Sequence, residues 1–224
     1  MPGVELTEHQ QKHGVSGSVI PATGLFSFLF SSLVLCVAPG PDNLFVLTQA
    51  ALYGRKAGLM VTLGLCTGLL VHTTAVALGM AALFQASPWA FMLLKTSGAV
   101  YLLFLAWQAF HASLVNVNTT STPVLSKLAL YRRGIIMNIT NPKVSIFFIA
   151  FLPQFASPAY GSMIPQLFTL GAVFVLATCL VFSGIAIAAG ALGGWLTQSP
   201  RRQKYLNRAG GFVLVVLGVS LLIA

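Results

Sequence analysis

Six apolar runs dominate the chain, at about 24–52, 57–84, 89–111, 128–153, 163–196 and 206–224. A bilayer core needs about 20 apolar residues per helix, so each run predicts one membrane helix. The connections are Tyr53–Lys56, Gln85–Pro88, Ser113–Lys127, Gln154–Ser162 and Thr197–Tyr205. The fifth run exceeds what a perpendicular span needs, which predicts tilt or a break there. The sixth corresponds to about 28 Å of helix and just crosses. Continuous runs of this length do not fit the alternating ten-residue strands of an outer-membrane barrel. Residues 1–22 are polar and mixed. They contain no basic stretch leading into a short apolar core with a small-residue cleavage site, so no signal peptide is expected. The expected organisation is a polar tail over 1–22 and a single transmembrane domain over 23–224. That domain divides into halves of about 23–112 and 128–224, joined by a linker over 113–127.

Composition agrees with the pattern. Of 224 residues, 57% are hydrophobic and 7% charged, against about 25% charged in a soluble domain, and the mean hydropathy is +0.88. Disorder, which needs low hydrophobicity and high charge, is excluded. The net charge of +9 would suggest a nucleic-acid partner in a soluble protein, but its distribution gives another meaning. The first, third and fifth connections and their flanks carry Arg55 and Lys56, then Lys127, Arg132 and Arg133, then Arg201, Arg202, Lys204 and Arg208; the second and fourth carry none. The positive-inside rule then places the odd connections in the cytoplasm and both termini outside. Cys36, Cys66 and Cys179 all lie within apolar runs and have no metal-ligand spacing, so they read as small buried residues. Gly54/Gly58, Gly64/Gly68 and Gly190/Gly194 are small-xxx-small pairs that allow close helix approach. The glycosylation-like triplets at Asn118 and Asn138 fall on the cytoplasmic side or within the bilayer and read as chance.

Two runs cannot be continuous helices. Run one contains Pro39-Gly40-Pro41-Asp42-Asn43, where two prolines remove two amide donors and clash with the preceding turn. The helix must stop near Ala38 and restart at Pro41, a residue suited to a first helical position. Run four repeats the device as Thr140-Asn141-Pro142-Lys143, with Asn141 as cap and Pro142 as restart. Each break opens one half, and each half has three runs. An odd number per half inverts the second relative to the first. The expected fold is therefore all-α and polytopic: six transmembrane helices as two inverted three-helix repeats, with helices 1 and 4 broken. Secondary transporters place substrate between such breaks.

Beyond Glu8 the chain has one acidic residue, Asp42. A charge at mid-bilayer costs about 2.5–3.5 kcal/mol on the insertion scale. Asp42 starts a half-helix, where the dipole favours a carboxylate, whereas Lys143 occupies the equivalent end, where the dipole disfavours an ammonium. Lys143 is thus expected to need an anion. Two readings stand: a fixed Asp42–Lys143 strut, or a pair that opens for a zwitterion. In the second, the substrate ammonium meets Asp42 and its carboxylate meets Lys143, with Asn43, Asn138, Thr140 and Asn141 as neutral contacts. Lys95 reads either as a headgroup-reaching side chain or a site residue. His72, mid-span in run two, reads either as a proton relay or a hydrogen-bonded packing residue. Tyr101, Trp89 and Trp107 are expected to pack or lie at the interface. An intramembrane enzyme would need paired carboxylates, a Ser/His or Ser/Lys couple or a His-rich metal site, and no such set exists; neither a cofactor nor a metal ligand set is expected. The same fold carrying another small cation or a metal ion is the alternative.

These motifs, in order, resemble the LysE/RhtB family of amino-acid exporters. The match rests on Pro-Gly-Pro-Asp-Asn (39–43), Gly-Arg-Lys-Ala-Gly (54–58) and Leu-Lys-x-x-Gly-x-x-Tyr-Leu (94–102). It continues through Asn-x-x-Asn-Pro-Lys (138–143) and Phe-Leu-Pro-Gln-Phe (151–155), and covers about 25–222. The tail departs from the pattern, since family members usually begin close to the first span. The resemblance implies a multi-pass carrier of the bacterial inner membrane that exports homoserine-, threonine- or lysine-like amino acids, driven by protons. It admits a homo-oligomer. Pro39, Gly40, Pro41, Asp42, Asn43, Asn141, Pro142 and Lys143 carry over as the transport core.

Overall fold

The computed structural model describes residues 20–86, 88–112, 125–197 and 199–223; the predicted tail up to residue 19, most of the linker and Asn118 lie outside the described residues. Among these, the helices in chain order are α1 (Ala22–Val37), α2 (Pro41–Tyr53), α3 (Arg55–Ala86), α4 (Pro88–Phe110), α5 (Lys127–Ile139), α6 (Pro142–Ile146), α7 (Met163–Thr197) and α8 (Pro200–Ile223). Four of them, α3, α4, α7 and α8, are long and apolar enough to cross a membrane alone. Two bent pairs complete the set: α1 with α2, bent by 61°, and α5 with the segment Pro142–Phe155, bent by 50°. Counting each pair as one span gives six, as the apolar runs predict. The fifth run does not break: α7 is one helix of 35 residues, about 52 Å at 1.5 Å per residue, which leaves tilt as its accommodation.

Several predicted connections are shorter than the polarity of the sequence implied. Gly54, at φ 85, ends α2 in a conformation only glycine adopts readily, and Arg55 already begins α3. Arg201, Arg202 and Lys204 likewise lie in the first turns of α8. Helix satisfies backbone groups near the bilayer better than loop does, and long basic side chains reach the headgroups from within it.

Beyond α6 the chain tightens irregularly, through a π-helical turn over Phe147–Phe151 and a 3₁₀ turn over Leu152–Phe155. Pro153 is the cause, since it supplies no amide donor and its ring displaces the carbonyl one turn back. Gln154 Nε2 donates to the Ala150 carbonyl at 3.3 Å. The phenylalanines of this irregular stretch pack, tilted or edge-on, against those of α1 and α7: Phe147 lies 5.9 Å from Phe28 and 5.1 Å from Phe174, and Phe155 lies 5.1 Å from Phe28, between ring centroids. They form an aromatic block between the first, fourth and fifth spans.

The spans pack across the halves. Helix α3 packs on α5 and α7, α4 on α8, and α7 on α1 and α2. Exchanging the halves maps α3–α7 and α4–α8 onto themselves and α3–α5 onto α7–α1. The packing of α2 on α3 and α7 has no comparable counterpart for the shorter α6. At the α3–α5 crossing the backbones meet at glycines. A Cβ on Gly134 would stand against the Val61 carbonyl and 3.0 Å from Gly64 Cα. Gly58 lies similarly tight on Ala50 and Ala186, and Gly68 on Asn138, whereas the surroundings of Gly190 and Gly194 fall outside the described residues. Gly134→Val is therefore expected to destabilise the protein by about 1–3 kcal/mol, the usual cost of overpacking. Gly79→Ala, with no atom within 4 Å of its Cβ, should be neutral or slightly stabilising. Thermal unfolding in detergent compares the two, and equal midpoints would remove the glycine contact as the reason for close packing.

Candidate functional site

The two breaks face each other. Prolines 39 and 41 withhold amide donors, so α1 ends at Val37 with its last carbonyls unpaired by helix bonds. Val34 accepts from the Ala38 amide at 3.0 Å. The next carbonyls are taken by side chains. Asn43 Nδ2 donates to Cys36 at 2.7 Å, and Lys143 Nζ reaches across from the other break to Ala38 at 3.0 Å and Leu35 at 3.4 Å. Gly40 makes room for it, since a Cβ there would lie 3.0 Å from Nζ.

On the opposite side, Asn141 caps α6 by accepting from the Lys143 amide at 3.0 Å. Its Nδ2 donates to Asp42 Oδ2 at 2.6 Å. Each break is thus closed by polar groups from the other. Asp42 and Lys143 are both buried, 3% and 7% exposed, yet they do not bond to each other. The fixed strut is not the arrangement seen. Among the described residues no carboxylate bonds the Lys143 ammonium. Its ammonium projects away from its own helix start and onto the C-terminal carbonyls of α1, where the dipole favours a cation by a few tenths to about 2 kcal/mol.

Asp42 Oδ1 has no hydrogen-bond partner among the described residues, and neither do Asn43 Oδ1 and Asn138 Oδ1. Asp42, Asn138 and Lys143 line one small cavity with Cys36, Phe174 and Thr178. At about 10 Å³ it holds about one water. The buried acceptors here call for a donor, because an unsatisfied buried charge costs more than a neutral group. A group with several N–H donors, such as an ammonium, suits a carboxylate oxygen beside an amide oxygen.

Not every predicted residue joins the site. Thr140 is exposed and its hydroxyl donates to Ile136 in its own helix, at 2.8 Å. Lys95 is half-buried on α4 and does not line the cavity. His72 stands behind the site: Nε2 lies 3.2 Å from the Asn138 carbonyl and the ring packs on Phe148 at 5.5 Å. Trp89 and Trp107 are exposed, as interface residues are. Sequence reasoning missed Cys36 and Thr178 as cavity residues, with Sγ and Oγ1 3.4 Å apart. A hydroxyl placed deep in the apolar run of α7 was the available signal. It also missed Gln166, fully buried, which ties the segment before α7 through bonds to Ser157, Gly161 and Ser162.

The chain matches known proteins over most of its length. The LysE type translocator family matches residues 33–224. The homoserine/homoserine lactone efflux protein of Salmonella typhimurium is 32% identical over 196 residues, covering 88% of this chain and 94% of that protein. A membrane protein of Vibrio cholerae is 32% identical over 195 residues, covering 87% and 94% of the two chains. The Bacillus subtilis membrane protein YrhP is 28% identical over 205 residues, covering 88% and 97%. No solved structure matches the chain. With the family matching from the first span to the end of the chain, this multi-pass membrane protein belongs to the LysE family of translocators, which are transporters and not enzymes.

Proposed function

We propose that this chain exports small amino acids of the homoserine type, together with their lactone, from the cytoplasm across the bacterial inner membrane in exchange for protons. The observation that carries the reading is the buried Asp42 carboxylate with one oxygen held by Asn141 and the other unpartnered beside the cavity. The relatives named for homoserine and homoserine lactone efflux support the cargo class. Both of those compounds carry an ammonium, the group that Asp42 Oδ1 suits.

In this reading Asp42 holds either a proton or the substrate ammonium, and the two exclude each other on one oxygen. That exclusivity is the simplest basis for exchange. A substrate carboxylate would draw the Lys143 ammonium off the Leu35 and Ala38 carbonyls, loosening the closure of break one. A cavity of about 10 Å³ cannot contain an amino acid, so loading requires the halves to part at the breaks. The broken helices α1–α2 and α5–α6, which meet at the breaks, are the elements that would move in alternating access. The positive-inside distribution of arginine and lysine orients the chain with both termini outside.

Everted membrane vesicles carrying the protein, given an inward-acid gradient, are expected to take up radiolabelled homoserine. Collapse of the gradient should abolish accumulation. Uptake no greater than in vesicles lacking the protein, across a panel of amino acids, would sink the reading.

A further inference from the structure

A second cavity, of about 590 Å³, lies between α2 and α5, within the usual size of small-molecule sites. Its walls include Pro41, Phe45, Thr48, Gln49, Arg133 and Met137. Pro41 and Met137 directly precede Asp42 and Asn138, which line the small central cavity. No residue lines both spaces, but at α2 and again at α5 consecutive residues line one and the other. Helix α2 runs from break one to the Gly54–Arg55 connection, and α5 runs from Lys127 to break two. Both belong to the side marked by the basic residues. The other side, beyond the breaks, is filled by Phe28, Phe147, Phe155 and Phe174. One face of the site is an aromatic block, and the other is a roomy cavity.

Two polar groups in that cavity ask for a ligand. Arg133 is the charged residue of its lining, and its guanidinium carbon sits 5.8 Å from the centroid of the Phe45 ring. Stacking on an aromatic face holds the planar fork in place while leaving its N–H edge free to meet an anion. Gln49 is 5% exposed, and its Oε1 has no partner among the described residues. The guanidinium belongs to the α5 wall and the covered Gln49 acceptor to the α2 wall, so a turn of the Gln49 side chain would bring both to bear on one molecule that has donors and a carboxylate. Arg132, the neighbouring cation, does not line this space. An orientation anchor alone would need neither the stacked Phe45 nor the unpartnered Gln49.

We propose that this cavity is the cytoplasmic entrance site, where Arg133 takes the carboxylate and Gln49 Oε1 an ammonium hydrogen of an incoming amino acid before it passes to Asp42. The inference rests on the export reading and sharpens it. Carboxylate-bearing substrates use Arg133; a lactone, whose acid is closed into a neutral ester, does not.

The test compares homoserine with homoserine lactone in everted vesicles carrying the full chain. Arg133→Gln is expected to raise KM for homoserine about tenfold, a loss of about 1.4 kcal/mol, while KM for the lactone stays within about twofold, a shift under about 0.5 kcal/mol. Gln49→Leu should weaken both compounds, because both carry the ammonium, and Arg132→Gln should move neither. Should Arg133→Gln fail to reach the membrane, Arg133→Lys, which keeps the charge and loses the fork, is expected to weaken homoserine alone. An equal effect of the Arg133 variant on both compounds, or none on either, would overturn the entrance site while leaving export intact. Failure of the unaltered protein to transport either compound would instead overturn the export reading, and the entrance with it.

Discussion

Export by the Asp42→Asn variant is expected to fall to the level of vesicles that lack the protein, with the variant present in the membrane at ordinary abundance. The substitution changes charge and almost nothing else. An asparagine oxygen can still accept the Asn141 Nδ2 bond seen at 2.6 Å, so the two breaks remain tied. Lys143 also remains satisfied, because its partners are the Leu35 and Ala38 carbonyls and not the carboxylate. What disappears is the negative charge beside the cavity. The oxygen that lacked a partner becomes an amide N–H₂, which presents donors to a donor-rich ammonium. Truncating one side of a buried charged hydrogen bond costs about 2–5 kcal/mol, or about 30- to 4,000-fold in occupancy. Proton exchange is lost as well, since an amide does not titrate. Initial rates of homoserine uptake, normalised by immunoblot of the membranes, decide the matter. Uptake at a third or more of the unaltered rate would remove Asp42 from the mechanism.

The spans and breaks were legible because the bilayer leaves few alternatives. About 20 apolar residues must cross, and Pro39, Pro41 and Pro142 each withhold a donor that a helix interior requires. Asn141 as cap was legible for the same local reason. What faced Lys143 was not. Its partners are backbone carbonyls of Leu35 and Ala38, and carbonyls leave no mark in a sequence. Considering the dipole of Lys143's own helix gave the wrong sign, because the decisive dipole belongs to the helix opposite. The α7 contribution was hidden for a different reason. Lipid is as apolar as the interior, so Phe174 and Thr178, both buried, and Leu176, 57% exposed, differ little in the pattern of hydrophobicity. A water-soluble helix would have separated the two faces by polarity. Arg133 illustrates the same limit at the surface. One basic residue among nine in the connections and their flanks reads as an anchor until Phe45 and Gln49 are placed beside it.

The largest effect on stability is expected from exchanging the two buried charges. In the double variant Asp42→Lys with Lys143→Asp, net charge and the number of opposite charges are preserved, so a simple strut would recover much of what each single change loses. The backbone environment forbids that recovery. An aspartate at 143 would point a carboxylate toward the Leu35 and Ala38 carbonyls, replacing two attractive contacts with repulsion. A lysine at 42 would set an ammonium at the start of α2, where the helix dipole opposes it, and would turn the Asn141 amide donor toward another donor. Two hydrogen bonds to a charged group, at about 1.5–3 kcal/mol each, are lost on the Lys143 side alone. The double variant is therefore expected to be less stable than the unaltered protein by at least about 3–6 kcal/mol, the loss on the Lys143 side alone, and inactive in export. Asp42 and Lys143 share Asn141 as a partner and line one cavity, so the single losses need not add, but the double should still be less stable than either single. Thermal unfolding of the singles and the double in one detergent gives that coupling directly. A double variant more stable than either single would mean that Asp42 and Lys143 act as a pair, and that the carbonyls of α1 are the lesser partner of the ammonium. The expected outcome is the reverse: the ammonium belongs to the end of one broken helix and the carboxylate to the start of another, and their positions cannot be traded.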